Sequence, residues 1–185
     1  MNTRISVVFA LSLVLATGCM KKNGAADNGG GMSMADSMKA AYTAVSAAWD
    51  AGKVDEFDKY ISVNSVDHNM MPGQEPGLAG MKKMAAEMKV GFPDQKSTIE
   101  DMRVDSNVLV VRSTMTGTNS GPMMGMPATN KKMTGVMGID MMRWENGKFV
   151  EHWGLFDEHA MMTQLGMMPP PGSMPAGAKM DDKKK

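Results

Sequence analysis

The spacing of apolar residues changes near Lys96, and this change limits the possible folds more than any other feature of the chain. Before it, apolar residues recur every three to four positions, as on the buried face of a helix. After it, they alternate with polar residues, which is typical of strands that cover a core with one face. We therefore predict an α+β domain, a cone-shaped α+β barrel in which N-terminal helices pack on a curved antiparallel sheet.

The helical half is predicted to contain three helices and one short extended piece. Residues 35–51 form the first helix, with Asp36 as a candidate N-cap and Gly52 as its stop. A short helix follows, with Val54, Phe57, Tyr60 and Ile61 on its apolar face. The extended piece and the third helix are expected at 63–68 and 78–90.

Four strands are predicted in the second half, at residues 97–104, 108–118, 132–144 and 148–157. The dipeptide Asn146-Gly147 joins the last two, and this dipeptide is typical of a tight antiparallel hairpin. A cone that is open at one end leaves a cavity, the usual place for a small apolar ligand.

Asp157 is the candidate catalytic residue that the last strand provides. Counting by two from Phe149 places Glu151, Trp153, Leu155 and Asp157 on one face. If that face looks into an apolar cavity, loss of hydration raises the pKa of the Asp157 carboxyl, which could then carry protons near neutral pH. The alternative is a solvated Asp, or one that caps the following turn.

Three motifs resemble a known family in the same order along the chain. They are GFPD at 91–94, VVRSTMTGTNSGPMMGMPATNKK at 110–132 and MGIDMMRWENGKFVEHW at 137–153. The pattern resembles the SnoaL-like polyketide cyclase or ester cyclase family of the nuclear-transport-factor-2-like superfold, over residues 38–166. The resemblance implies a cofactor-free acid–base enzyme without a metal, in which Asp157 matches the general acid/base. Such an enzyme removes a proton from a carbonyl-activated carbon and closes a ring by aldol addition.

The chain departs from this pattern at two positions. Many relatives carry His after the GT pair and Gly before the lysine of the loop, whereas this chain has Asn119 and Asn130. A role carried by that His is therefore not expected here. His68 resembles a position that relatives often fill with His near the cavity, so it is a second catalytic candidate, with a structural role as the alternative.

The remaining site candidates are ligand-binding residues. Arg112 is expected either to pair with Asp140 or Glu151 or to orient a substrate carbonyl. His152 is expected on the face opposite Trp153, unless Gly154 marks a bulge, and His159 lies beyond the strand. The predicted apolar ligand pocket is lined by Trp153, Met115, Met137 and Met141.

The N-terminus predicts export. Arg4, a short apolar run at 7–15 and the small residues before Cys19 are typical of a lipoprotein signal peptide. Cys19 would become the lipidated first residue. We therefore predict a signal peptide at 1–18, a flexible tether at 19–34, the domain at 35–166 and a disordered tail at 167–185, in a membrane-anchored lipoprotein on the periplasmic or extracellular side.

Charge and methionine content bear on possible partners. Removing Arg4 from 20 basic residues leaves 19 against 20 acidic ones, and this balance argues against nucleic acid as a partner. Of 25 methionines, 24 remain after Met1 is removed. Thioethers suit Cu(I), so Met123, Met124 and Met126 are candidate ligands, although Met also replaces Leu in cores. An exposed sheet face could pair two copies in a homodimer.

Three functions of different classes follow from these observations. The first is a cyclase or isomerase, although polyketide cyclisation belongs inside the cell, where the synthase delivers its product. The second is a non-catalytic lipoprotein that holds a small apolar molecule in the same pocket. The third is a methionine-rich protein that handles copper.

Overall fold

The computed structural model describes residues 32–71, 73–123 and 125–168. The predicted signal peptide, Cys19, nearly all of the tether and nearly all of the tail lie outside these residues. The described elements, in chain order, are α1 (Met34–Ala51), a 3₁₀ helix (Val54–Lys59), β1 (Ile61–Asp67), α2 (Gly77–Gly91), β2 (Lys96–Asp105), β3 (Val108–Thr118), β4 (Lys132–Glu145), β5 (Lys148–Phe156) and α3 (Glu158–Gln164).

The ends of α1 follow from local chemistry. The Ser33 side chain accepts the backbone N–H of Asp36 at 3.1 Å, so Ser33 is the N-cap instead of the predicted Asp36. Asp36 lies in the first turn, where its charge suits the helix dipole. At the other end Gly52 adopts a left-handed conformation, with φ of 70°, and its N–H closes the helix.

The five strands form one open sheet in the order β1-β5-β4-β3-β2, with the helices packed on it. This arrangement confirms the α+β prediction. The hairpin prediction is also confirmed, because Glu145 pairs with Lys148 across Asn146 and Gly147, both at positive φ. The predicted extended piece becomes the edge strand β1, which runs parallel to β5. The sheet is therefore mixed instead of wholly antiparallel.

The two faces of the sheet differ in what covers them. We call the face under the helices the inner face and the opposite one the outer face. Leu109 and Val111 of β3 lie fully buried on the inner face, against Met38 and Ala41 of α1. On the outer face, the register aligns several exposed apolar side chains: Val110, Met137, Ile139, Met141 and Leu155.

A bulge in β5 decides which of its residues face inward. Trp144 pairs with Phe149, but the preceding Arg143 pairs with Glu151, so Val150 is the extra residue. Phe149 is inward and 1 % exposed, and the inserted residue moves Glu151 to the outer face. Each later residue of β5 is on the face opposite to the one that simple alternation predicts.

The methionines mostly serve as core residues. One apolar cluster, which we call the methionine-rich cluster, lies near the end of the sheet where β4 begins. Its buried residues are Phe92, Met123, Met133, Val136, Met161 and Leu165. Five more methionines are among the half-buried side chains around it: Met88, Met115, Met126, Met162 and Met167. Thioether side chains are flexible and fill irregular gaps, so this cluster occupies volume that leucines fill in other cores.

No helix in the described part of the chain is both long and apolar enough to cross a membrane.

Candidate functional site

A polar network interrupts the apolar inner face. It contains Tyr42 of α1, Asp67 of β1, Asp140 of β4 and His152 of β5. Asp140 lies on β4 between two apolar clusters. Val136 on one side belongs to the methionine-rich cluster, and Met142 on the other side packs with Leu109 and Met38 beneath α1. Polar groups in such a place need partners, because burial without hydrogen bonds is costly.

His152 is the centre of this network. Its Nε2 contacts Asp140 Oδ1 at 3.0 Å, and its Nδ1 contacts Asp67 Oδ1 at 3.2 Å. The Tyr42 hydroxyl donates to the other Asp140 oxygen, Oδ2, at 2.6 Å. One imidazole thus lies between two carboxylates, and Asp140 links it to the phenol.

Burial and charge together set the protonation states in the network. Burial lowers the pKa of His152, but hydrogen bonds to Asp140 and Asp67 and their negative charges outweigh it and raise the pKa to about 9. His152 is therefore an imidazolium at neutral pH, and both ring nitrogens donate. For Tyr42, burial and the adjacent Asp140 carboxylate both raise the pKa of the phenol well above its usual value, so it stays protonated.

Asp67 receives further support from the loop after β1. Its Oδ1 accepts the backbone N–H of Asn69 at 3.0 Å, and its Oδ2 accepts the Gln74 amide at 3.2 Å. Burial raises the pKa of Asp67, but the hydrogen bond from His152 and these loop donors outweigh it, so the pKa lies below its ordinary value. Asp67 is thus held as a carboxylate that orients His152.

Accessibility distinguishes the two carboxylates. The Asp140 side chain is 28 % exposed, against 11 % for Asp67. Small residues lie on part of the surroundings of Asp140, namely Gly154, its direct partner on β5, and the pair formed by Gly138 on β4 and Ser113 on β3, whereas its direct partner on β3 is Val111. A Cβ at Gly154 would lie 2.8 Å from His152 Cε1, so only glycine leaves room for the imidazole. Asp140 is therefore the more exposed of the two carboxylates.

The structure contradicts the expected burial of Asp157. This residue is exposed just beyond β5, and its Oδ1 accepts the Ala160 N–H at 2.8 Å as the N-cap of α3. The capping alternative is therefore the one observed. Asp157 therefore lacks the apolar surroundings that the prediction required, and its acid/base role stays a prediction without geometric support.

The second catalytic candidate, His68, also lies away from the inner face. Its ring stacks on Trp153, with centroids 4.3 Å apart and planes within 4°, and its Nε2 contacts Glu151 Oε2 at 3.0 Å. Glu151 in turn pairs with Arg143. This cluster lies on the outer face beside β1 and β5, away from the polar network of the inner face, and a catalytic role for His68 stays a prediction.

The predicted ligand-binding residues are divided between the two faces. Met115 lies on the inner face and packs against the methionine-rich cluster, and its role in ligand binding stays a prediction. The other four lie on the outer face: Arg112, Met137, Met141 and Trp153. Arg112 also does not meet its proposed partners, since Asp140 binds His152 and Tyr42, and Glu151 binds Arg143.

The bulge at Val150 explains this error. In a regular hairpin closed by Asn146-Gly147, Trp153 would lie opposite Asp140 on the inner face. The inserted residue shifts the register, so that Gly154 lies opposite Asp140 and Trp153 opposite Met141. His152 moves inward as a result. The sequence does carry one signal for this, the small residue Gly154 beside an otherwise bulky strand, but the bulge is four residues earlier.

Asn119 is a buried structural residue that the sequence analysis did not identify. Its side chain is fully buried, donates to the Gly121 carbonyl at 2.9 Å and to the Gly91 carbonyl at 3.3 Å, and accepts the Thr129 N–H at 2.8 Å. Asn119 therefore joins the loop after β3 to the end of α2.

The donor sets for metals are limited. No group of three or more His, Cys, Asp or Glu side chains able to hold a metal ion occurs within 32–71, 73–123 and 125–168. Among the proposed copper ligands, Met123 is 2 % exposed in the methionine-rich cluster, and Met124 lies outside the described residues.

Two open grooves lie elsewhere on the surface. One, of about 460 Å³, is lined by Glu87, Val90, Pro122, Met123 and Gly125. The other, of about 370 Å³, is lined by residues of α1 and the 3₁₀ helix together with Lys53 and Tyr60. Neither groove borders Asp140 or Asp157.

Comparison with known proteins identifies the family. The family model for SnoaL-like polyketide cyclases matches residues 39–165. The chain therefore belongs to the SnoaL-like polyketide cyclase family, as its motifs suggested. No curated protein matches the chain.

Solved structures agree with this family and with the fold. TsrD from Streptomyces laurentii is 27% identical, with a TM-score of 0.66 over 71% of this chain and 96% of its own. A candidate polyketide cyclase from Bacillus cereus ATCC 10987 is 27% identical, with a TM-score of 0.64 over 74% and 87%. A SnoaL-like polyketide cyclase from Agrobacterium tumefaciens, 21% identical with a TM-score of 0.56 over 70% and 98%, shares the fold.

Proposed function

We propose that this domain binds a small, largely apolar molecule on its inner face and transfers protons there without a cofactor, with Asp140 as the residue that meets the ligand. The carrying observation is the position of Asp140: a partly exposed carboxylate, held by two hydrogen-bond donors, between two apolar clusters. A ligand with an apolar body could contact the clusters and place a polar atom at the carboxylate.

The network suggests how a proton would move. Asp140 takes a proton from a carbon of the ligand that is activated by a neighbouring carbonyl, as enzymes of the cyclase and isomerase type do. Once protonated, Asp140 is a weaker acceptor for the Tyr42 hydroxyl. Tyr42 can then turn its O–H toward the negative oxygen that develops on the ligand. His152 stays cationic and, through Asp67, keeps the orientation in which it supports Asp140.

The test is binding to the purified full chain, followed by residue-specific NMR and native mass spectrometry. We expect an apolar ligand, retained through purification or added from a panel, to shift the amide resonances of Gly138 and Gly154. Asp140→Asn should retain binding of the apolar body and abolish turnover once a substrate is known. Asp157→Asn serves as the matched control and should change neither.

Two outcomes would contradict the proposal. One is that ligands shift resonances of the outer face, near Met141 or Trp153, and leave the inner face unchanged. The other is that turnover of an identified substrate survives in Asp140→Asn and is lost in Asp157→Asn, which would return the catalytic role to the exposed aspartate.

We also propose that the chain is exported and anchored to a membrane through a lipid on Cys19. Support comes from the charged start, the short apolar run and the small residues before the cysteine. Cells fed a labelled fatty acid should incorporate the label into the wild-type protein and not into Cys19→Ser. A wild-type protein that stays in the soluble fraction without label would refute the anchor.

A second copy of the chain is the partner that we propose for the outer face. This proposal is supported by the row of exposed apolar side chains on the outer face, since contiguous apolar surface marks interaction sites. The row consists of Val110, Met137, Ile139, Met141 and Leu155. Sedimentation should find a dimer that Met141→Glu converts to a monomer. A monomeric wild-type protein at micromolar concentration would contradict it.

A further inference from the structure

In the inner-face network, the donors of His152 and Tyr42 are all engaged, whereas the Asp140 carboxylate keeps free acceptor sites. His152 as an imidazolium has two N–H donors, and both are used, one by Asp140 and one by Asp67. The single O–H of Tyr42 is used by Asp140 as well. A carboxylate offers roughly four lone-pair sites, so Asp140 can accept further hydrogen bonds after these two. The network has acceptors to offer a ligand, while its donors are already engaged.

The charges of the inner-face network also favour a ligand that donates hydrogen bonds. Asp67 and Asp140 contribute two negative charges and His152 one positive charge, which leaves a net charge of −1 near neutral pH. The register places all three arginines of the sheet on the outer face: Arg103, Arg112 and Arg143.

The lysines of α2 do not neutralise the negative charge of the network, because they have other partners. Lys82 pairs with Asp58, Lys83 pairs with Glu75, and Lys89 donates to backbone carbonyls of Asp50 and Pro93. The network itself therefore carries a net negative charge, which disfavours anionic ligands.

From these two observations we infer that the ligand of the inner face carries a cationic nitrogen, as an ammonium group or a protonated ring nitrogen, next to its apolar body. This inference rests on the proposed function and adds the chemical class of the ligand to it. The nitrogen donates hydrogen bonds to the free lone pairs of Asp140 and neutralises the net charge of the network. An apolar carboxylate would meet the negative charge of Asp140, and a neutral apolar molecule would leave the acceptors of Asp140 to water.

Three probes of nearly equal size separate these cases: naphthylethylamine, naphthylethanol and naphthylacetate. They are titrated against the full chain near neutral pH, with dissociation constants from calorimetry and the binding site from the amide shifts of Gly138 and Gly154. We expect the amine to bind about tenfold more tightly than the alcohol, and the carboxylate to bind more weakly than both. The preference for the amine should fall as the salt concentration rises.

Two variants locate the preference. In Asp140→Asn the amine and the alcohol should bind within about twofold of each other, because the charge is gone and the shape is kept. In Asp157→Asn, which removes an exposed negative charge outside the network, the tenfold preference should remain. If Asp140→Asn does not fold, the order of the three probes on the wild-type chain and its salt dependence still decide the inference.

The outcomes also distinguish this inference from the proposed function. Equal binding of amine and alcohol at the inner face, or tighter binding of the carboxylate, would overturn the cationic ligand and leave small-molecule binding intact. If none of the three probes shifts the inner-face amides, the proposed function fails and the inference fails with it.

Discussion

The pH dependence of stability tests the protonation of His152 most directly. The pKa of this imidazole is about 9 in the folded chain, against an ordinary value of 6.5. Folding therefore gains free energy from the protonated form. The gain is fully present below the unfolded pKa and is lost as pH rises through the folded pKa. A difference of about 2.5 pKa units corresponds to about 3 kcal/mol, and the side chain is 19 % exposed, so solvent screening reduces this only modestly.

The assay is urea unfolding of the wild type and of His152→Gln at several pH values from 6 to 10. Subtracting the two stabilities cancels the lysines and tyrosines, which also titrate at the alkaline end. We expect the wild type to exceed the variant by about 3 kcal/mol more at the acidic end than at the alkaline end. His159→Gln is the matched control, because His159 is exposed beyond β5 and takes no part in the network, and this variant should not reproduce the effect of His152→Gln.

A stability difference between wild type and His152→Gln that does not change with pH would refute this reasoning. Should the variant fail to fold, an NMR titration of the wild-type imidazoles gives the same information. One of the three histidine resonances should move near pH 9. If all three have completed their titration below pH 8, the ion-pair network is not present in solution.

Three further predictions concern single side chains. Gly154→Ala should destabilise the fold by about 1–3 kcal/mol, because its Cβ would press on His152, whereas the added methyl of Gly138→Ala meets only ordinary contacts at 3.5 Å; equal unfolding midpoints for both variants would contradict this. Asn119→Ala should cost about 2–4 kcal/mol in denaturant unfolding, since buried carbonyl and N–H groups of the loop after β3 lose their partners, and a loss below 1 kcal/mol would mean that water replaces them. Asp157→Ala should lower stability by about 1 kcal/mol through loss of the α3 cap, and Asp157→Ser, which can also cap, should restore it.

The sequence predicted the elements well because their signals are local. The helical spacing before Lys96, the stop at Gly52 and the Asn146-Gly147 turn each depend on residues close together, and each is present in the structure. The parallel pairing of β1 with β5 is not local, since Ile61 meets Phe149 across most of the domain. Alternation alone could not predict that pairing.

The candidate site was harder to predict, because it depends on one inserted residue. Alternation along β5 gives the correct face for Phe149 and the wrong face for every residue after Val150. The fold class does not change with such a bulge, but the identity of the inward-facing residues does. Trp153 and Asp157 were therefore expected where His152 lies. The partners of His152 come from β1 and β4, so the network appears only once the whole sheet is assembled.

The surroundings of the two carboxyl groups are the reason why we propose Asp140 over Asp157 as the proton acceptor. Asp157 accepts a backbone N–H at the start of α3, and protonation would weaken a cap that is worth about 1 kcal/mol. Its exposure also leaves water, and no apolar wall, beside the carboxyl. Asp140 faces the apolar clusters. The Tyr42 hydroxyl next to it can turn toward the negative charge that develops on the ligand after the proton transfer. Protonation of Asp140 would weaken the hydrogen bonds from both Tyr42 and His152, so our proposal of Asp140 rests on the apolar clusters and the phenol beside it and not on a smaller cost of protonation.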